Sequence, residues 1–176
     1  MKKIGFIVYV YLFVFVLLSY AADITITATA NRSLKRSISL ANVRTDASNG
    51  AIEFLNVLKN DLQLSGWFEE TAPASASIII NGDVRTSSGS VYYNLNASWL
   101  AGTRTKKFIK TTATSNLRMN AHELSDEFSK TFADNPGMAS SRILFVGRQQ
   151  NSKNPDIYVC DSDGLSAMQI TRDSKL

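Results

Sequence analysis

The sequence has a single cysteine, Cys160, and a single histidine, His122. One cysteine cannot form an internal disulfide, so the folded chain has to rely on its apolar core for stability. The sequence also lacks a glycine-rich phosphate-binding loop, a CxxC pair and a nucleotide-binding fingerprint. We therefore expect no cofactor.

Excess charge is also scarce. The net charge is +4 over 176 residues, and it falls to +2 if the two lysines near the amino terminus are removed, because Lys+Arg then drops from 19 to 17 against 15 acids. Two basic groups stand out: Arg32, Lys35 and Arg36, and then Arg104, Lys106, Lys107 and Lys110. Thr, Ile and Phe interrupt the second group, which is typical of a solvated strand face, so the sequence does not predict nucleic-acid binding.

The first 21 residues have the pattern of a signal peptide. Met1-Lys2-Lys3 is a cationic head, and the uncharged, apolar run from Ile4 to Leu18 follows it. Ser19-Tyr20-Ala21 places small residues where signal peptidase requires them, which predicts cleavage after Ala21. The alternative is an uncleaved membrane anchor, because the run extends to Ala22 and approaches the length of about 20 residues that a spanning helix needs.

A short segment directly behind the predicted cut is the candidate partner-binding site. Its residues alternate between apolar and polar and include several β-branched side chains, which predicts a strand. The segment comprises Ala22, Asp23, Ile24, Thr25, Ile26, Thr27, Ala28, Thr29 and Ala30. It is either an edge strand of the domain or a free arm that adds itself to the sheet of a partner. The sequence leaves both possibilities open.

The next hundred residues predict an α+β domain, a mixed sheet packed with two helices. Strands are expected at 37–43, 77–84, 91–99 and 105–112, with a turn at 85–89. A first helix, capped by Asp46 or Ser48 and ended by Gly66, should bury an apolar stripe on Ile52, Leu55, Leu58 or Lys59, and Leu62. A second helix, capped by Ser115 or Asn116, should run from Leu117 to about Thr131 and bury Leu117, Ala121, Leu124 and Phe128.

The residues that could carry chemistry are few. His122, Ser125 and Asp126 would lie along one helix surface, whereas a catalytic triad draws its members from different elements, so we expect His122 to cap or pack and expect no enzyme. Asp161-Ser162-Asp163-Gly164 has two carboxylates but lacks the remaining ligands of a calcium loop. We predict a hairpin turn there and no metal site.

The character of the chain changes after Asn135-Pro136-Gly137. Short strands are expected at 142–147, 156–161 and 168–171, without a helix to cover them. Three strands with no return connection cannot protect their edges, so we expect a fold that is interrupted at Leu176.

Taken in order, five segments of the sequence resemble the TolB family, periplasmic components of the Tol-Pal system. They are Asp61 to Phe68 (DLQLSGWF), Ile78 to Val84 (IIINGDV), Arg118 to Glu127 (RMNAHELSDE), Arg142 to Val146 (RILFV) and Asp161 to Gly164 (DSDG). The resemblance covers nearly all of the chain behind the signal peptide. It implies a signal peptide at 1–21, an arm at 22–36, an α/β domain at 37–140 and the start of a β-propeller at 141–176.

The resemblance also implies a function without catalysis, in outer-membrane integrity and constriction during cell division. In this family the segment behind the signal cut pairs with the inner-membrane protein TolA, which here corresponds to Ala22 to Ala30. The propeller binds the lipoprotein Pal, but only an opening blade is represented here and the Trp-Ser-Pro-Asp-Gly repeats are absent. We therefore expect TolA as the partner and do not extend the resemblance to Pal. The alternative is a stand-alone periplasmic α/β domain that regulates another envelope assembly.

Overall fold

The computed structural model describes residues 35–102, 104–149 and 154–172, all within one compact unit, 32–176. The predicted signal peptide, its cleavage at Ala21 and the arm Ala22 to Ala30 lie outside these residues. The division of the chain at residues 36 and 140 stays a prediction. Among the described residues, no helix combines the length and the apolar character that crossing a bilayer requires.

The described part of the chain has an α+β fold, as predicted. Two α-helices, α1 (Asn49–Leu64) and α2 (Leu117–Phe132), accompany short 3₁₀ turns at Pro73–Ser75 and Thr114–Asn116. The strands are β1 (Arg36–Thr45), β2 (Phe68–Glu70), β3 (Ile78–Ser87), β4 (Ser90–Trp99), β5 (Thr105–Ala113), β6 (Arg142–Gly147), β7 (Asp156–Asp161) and β8 (Met168–Gln169).

The strands form two sheets. The larger sheet has the order β2-β1-β3-β4-β5, in which β1 runs parallel to both β2 and β3, while β3, β4 and β5 form an antiparallel meander. The smaller sheet, β6-β7-β8, is antiparallel. Because β1 is hydrogen-bonded on both sides, the first strand of the described residues lies in the interior of the larger sheet.

One face of the larger sheet packs against both helices and forms the core. Along β4 the side chains alternate, with Val91, Tyr93, Leu95 and Ala97 buried. Phe54 of α1 stacks on Tyr93 at 5.1 Å between ring centroids, and Phe128 of α2 stacks on Phe108 at 4.4 Å. These ring contacts fix how each helix lies on the sheet.

The predicted inward stripe of α2 is confirmed, because Leu117, Ala121, Leu124 and Phe128 are all buried. The predicted stripe of α1 is confirmed at Leu58 and Leu62 and is wrong at Ile52. Ile52 is 42% exposed, and the residues that α1 buries are Ala51, Phe54, Val57, Leu58, Asp61 and Leu62. The aromatic side chain of Phe54 buries more apolar surface than that of Ile52, so the face of α1 that carries Phe54 turns toward the sheet.

The predicted ends of α1 are confirmed, whereas the predicted hairpin turn is too long. The Ser48 hydroxyl accepts a hydrogen bond from the amide of Ala51 and caps α1, and Gly66 follows the helix with φ +75° as predicted. The turn predicted at 85–89 is shorter: β3 continues to Ser87, which pairs with Ser90. The two loop residues, Ser88 and Gly89, both have positive φ, the backbone twist that suits a two-residue hairpin.

Candidate functional site

A polar junction joins α2 to the small sheet, and we define it by Arg118, His122 and Asp126 of α2, Asp61 of α1, the loop 137–140 and the turn 161–164. The spacing of Arg118, His122 and Asp126 places them along one flank of the helix, beside the apolar stripe that faces the larger sheet. The helix therefore packs on two sides.

His122 lies at the centre of this junction and is 1% exposed. Its Nδ1 is 2.7 Å from Oδ2 of Asp61, which is 3% exposed, and its Nε2 is 3.7 Å from Oδ2 of Asp161. Burial disfavours the charged imidazole, but the hydrogen bond and charge of Asp61, with the charges of Asp163 and Asp161, outweigh burial and raise the pKa of His122. The stripe predicted for α1 did not include Asp61, whereas the structure buries this residue.

Arg118 connects α2 to the turn 161–164. Its Nη2 lies 2.5 Å from Oδ2 of Asp163, and its Nε lies 3.4 Å from Oδ2 of Asp161. Burial disfavours the Asp163 carboxylate, but the hydrogen bond from the Leu165 amide and the Arg118 cation hold its pKa below the usual value. Burial likewise works against the Arg118 cation, and the two aspartates more than compensate, so the pKa of Arg118 is raised.

Asp126 holds the loop that leads into the small sheet. Its carboxylate accepts hydrogen bonds from the amides of Ala139 and Ser140, at 2.7 and 3.0 Å, and from the Ser140 hydroxyl. The Ser162 hydroxyl donates to the carbonyl of Ala139 at 2.6 Å, which ties the loop to the turn 161–164. A methyl group at Gly137 would overlap the carboxylate and the Cα of Asp126, so the loop approaches the helix as closely as a glycine allows.

The structure brings together residues that the sequence analysis had considered separately. His122, Ser125 and Asp126 lie on one helix as expected, but His122 bonds Asp61 and Asp126 bonds the loop, while Ser125 is 1% exposed. Asp161 and Asp163 do form a turn, closed by a hydrogen bond from the Gly164 amide to the Asp161 carbonyl. The prediction that His122 packs against the edge of the sheet missed its acidic partners. The repeat Arg118, His122, Ser125 and Ser129 was the available signal for a second buried face.

Two cations of β5 pair with acids of α2, and Arg104, just ahead of β5, pairs with Asp134, two residues beyond α2. Lys106 contacts Glu127 at 2.6 Å, Lys110 contacts Glu123 at 2.9 Å, and Arg104 contacts Asp134 at 2.7 Å. The acids of α2 thus compensate much of the positive charge that the sequence concentrates on this strand.

Together these elements define an α+β fold in which a five-stranded mixed sheet carries two helices on one face, with a small antiparallel sheet fastened to the second helix. This is a TolB-like fold. The crystal structure of TolB from Acinetobacter baumannii superposes with a TM-score of 0.66, covers 80% of this chain and 39% of the TolB chain, and is 15% identical in sequence. The chain thus spans well under half the length of that protein.

The other comparisons add little to this. A PelC dodecamer from Paraburkholderia phytofirmans is 14% identical and covers 55% of this chain and 87% of the PelC chain, but its TM-score of 0.37 is too low to support an argument. No protein-family model matches the sequence, and no curated protein matches it either.

Proposed function

We propose that the chain is a non-catalytic periplasmic adaptor of the Tol-Pal system, which maintains the outer membrane and supports its constriction during cell division. The observation that carries this proposal is the TolB-like fold over 80% of the chain. A role without catalysis agrees with the junction, where His122 and Asp126 bind neighbouring protein groups and Ser125 is buried.

The segment Ala22 to Ala30 binds TolA in this proposal. Its alternating, β-branched sequence suits strand addition, in which backbone hydrogen bonds supply affinity. β1 begins at Arg36 and already has a neighbour on each side. The pairing of β1 is therefore complete without a further strand.

Export to the periplasm follows from the signal-peptide pattern at 1–21. Cleavage after Ala21 would make Ala22 the new amino terminus and place the TolA-binding segment at the very start of the mature chain. Mass spectrometry of the protein recovered from the periplasm tests this step, with a mass that corresponds to a start at Ala22 as the expected result.

We interpret β6, β7 and β8 as the opening blade of a propeller. The apolar residues of β6 are between 39% and 68% exposed: Ile143, Leu144, Phe145 and Val146. Such side chains are normally covered by neighbouring strands on both faces. Pal binding requires a larger propeller surface in this family and is not assigned to these residues.

The test of the proposal is a binding titration between the exported chain and the periplasmic part of TolA. Ile26→Pro removes a backbone donor and should abolish binding, whereas Ile26→Val keeps the donor and the β propensity and should bind as the parent does. The thermal stability of both variants should equal that of the parent.

Each other outcome has a definite meaning. A large loss of stability in Ile26→Pro would place the segment in the core and remove it as a partner site. Absence of TolA binding by the stable parent protein would refute the proposal and favour the alternative, a periplasmic α/β domain that regulates another envelope assembly.

A further inference from the structure

The polar junction contains one atom whose bonding is incomplete. His122 Nε2 is buried and has no hydrogen-bond partner among the residues that the structure describes. The other ring nitrogen is fixed, because Nδ1 lies 2.7 Å from Asp61. A buried polar atom without a partner is costly, so its position calls for an explanation.

His122 Nε2 faces two carboxylates. Asp161 Oδ2 lies 3.7 Å away, too far for a hydrogen bond, and one ligand atom each from His122, Asp161 and Asp163 all fall within 4.8 Å of one another. The Asp163 side chain is 2% exposed and that of Asp161 is 12% exposed, so water has little access to the space between them. An imidazole nitrogen and two carboxylate oxygens are a ligand set that zinc takes in proteins.

The charges around this space do not balance. Asp61, Asp161 and Asp163 supply three negative charges against the one positive charge of Arg118. The cluster carries an excess of two negative charges with a neutral imidazole and of one with a protonated imidazole, and burying such an excess is unfavourable. A divalent cation would neutralise it.

We propose that this cluster is a binding site for a divalent transition-metal ion, preferentially Zn²⁺, with His122 Nε2, Asp161 and Asp163 as its ligands. Asp61 acts as a positioning residue, because a carboxylate on the other ring nitrogen fixes the tautomer and orientation of a metal-binding histidine. The imidazole ligand favours zinc over calcium or magnesium, which prefer oxygen alone. This proposal does not rest on the Tol-Pal function.

Arg118 competes with the metal for the same carboxylates. Its closest contact is with Oδ2 of Asp163, at 2.5 Å, and its contact with Asp161 is longer, at 3.4 Å. A carboxylate offers about four lone-pair positions, so each aspartate can serve a guanidinium and a metal together. The competing cation should nonetheless weaken metal binding. The bound ion would tie the turn 161–164 of the small sheet to α2.

The experiment uses the full chain, purified without a histidine tag, and Zn²⁺ alone as the probe. His122 is the one histidine of the chain, which keeps other imidazole sites out of the measurement. Because a proton and a metal compete for the same nitrogen, the titration is made at pH 8. We expect one Zn²⁺ per chain by calorimetry, and a rise in melting temperature of about 5 to 10 °C at free zinc 100-fold above the dissociation constant. Mg²⁺ at the same concentration should give no rise.

Four variants decide the assignment. His122→Gln and Asp163→Asn should each lose the zinc-dependent rise, while Glu123→Gln, an exposed neighbour on the same helix, should keep it. Arg118→Gln should bind zinc at least several-fold more tightly, although its melting temperature without zinc falls. The readout is the change that zinc causes in each variant, so a lower starting stability does not obscure it.

The proposal is overturned if zinc leaves the melting temperature of the parent unchanged. It is also overturned if His122→Gln retains the full zinc-dependent rise, which would mean that zinc binds elsewhere on the chain.

Discussion

The pair Asp61 and His122 offers the sharpest test of how the two helices are held together. Asp61→Ala removes the acceptor for His122 Nδ1, at a place where both side chains are almost completely buried. An unsatisfied buried donor costs about 1–3 kcal/mol, and breaking a buried charged pair costs about 3–5 kcal/mol. Because the imidazole can release its proton and avoid the higher cost, we expect a loss of about 2–4 kcal/mol in the free energy of unfolding.

Asp61→Asn is the matched variant. Its amide oxygen still accepts from Nδ1, but the bond loses its charge, so we expect roughly half of the loss seen with alanine. Urea denaturation of the full chain, followed by circular dichroism and tryptophan fluorescence, measures both. Asn60→Ala, at an exposed position of the same helix, should change the stability by less than about 0.5 kcal/mol. If Asp61→Ala behaves like Asn60→Ala, the carboxylate faces solvent and the buried pair does not exist.

Two further predictions concern the loop and the core. Gly137→Ala should destabilise the chain by about 1–3 kcal/mol in urea denaturation, because the added methyl group meets the Cα of Asp126 and backbone cannot move aside cheaply; an unchanged midpoint would show that the loop does not press on α2. Tyr93 has its pKa raised to about 12 by burial and, to a lesser degree, by Glu127 and Glu123. Since the unfolded value is about 10, the stabilisation is complete below pH 10 and is lost as the pH rises toward 12. A pH titration followed by absorbance at the phenolate band should show one tyrosine that titrates late, and Tyr93→Phe should remove it. Identical titration curves for the parent and the variant would contradict the burial of Tyr93.

Much of the larger sheet and of α2 was predictable from the sequence, because local periodicity determines them. The alternation along β4 has period two, and the stripe from Leu117 to Phe128 has the period of a helix. In α1 several apolar residues lie on adjacent faces of the helix, so periodicity alone allowed either face to be the buried one. The structure buries the face that carries Phe54, which contacts Tyr93, a residue far from it in the chain.

The contacts of the polar junction could not be predicted from local sequence patterns, for a related reason. A charged residue on a helix is assigned to solvent by default, since burying an unpaired carboxylate is expensive. The hydrogen bond between Asp61 and His122 offsets this cost, and His122 is 61 positions further along the chain. A pair so far apart in the chain leaves no local sequence pattern. The polar repeat from Arg118 to Ser129 nevertheless indicates that a second face of α2 is packed against other residues.

The two sides of α2 rely on different interactions. The side toward the larger sheet is apolar and close-packed, through Phe128 and its neighbours, so its stability depends little on ionic conditions. The side toward the small sheet is held by Arg118, Asp126 and the loop 137–140, through charged groups and hydrogen bonds. Polar contacts of this kind give a defined geometry with modest net stabilisation. The contacts that hold the small sheet can therefore be weakened without changing the apolar packing of α2 on the five-stranded sheet, and Gly137→Ala perturbs only the polar side.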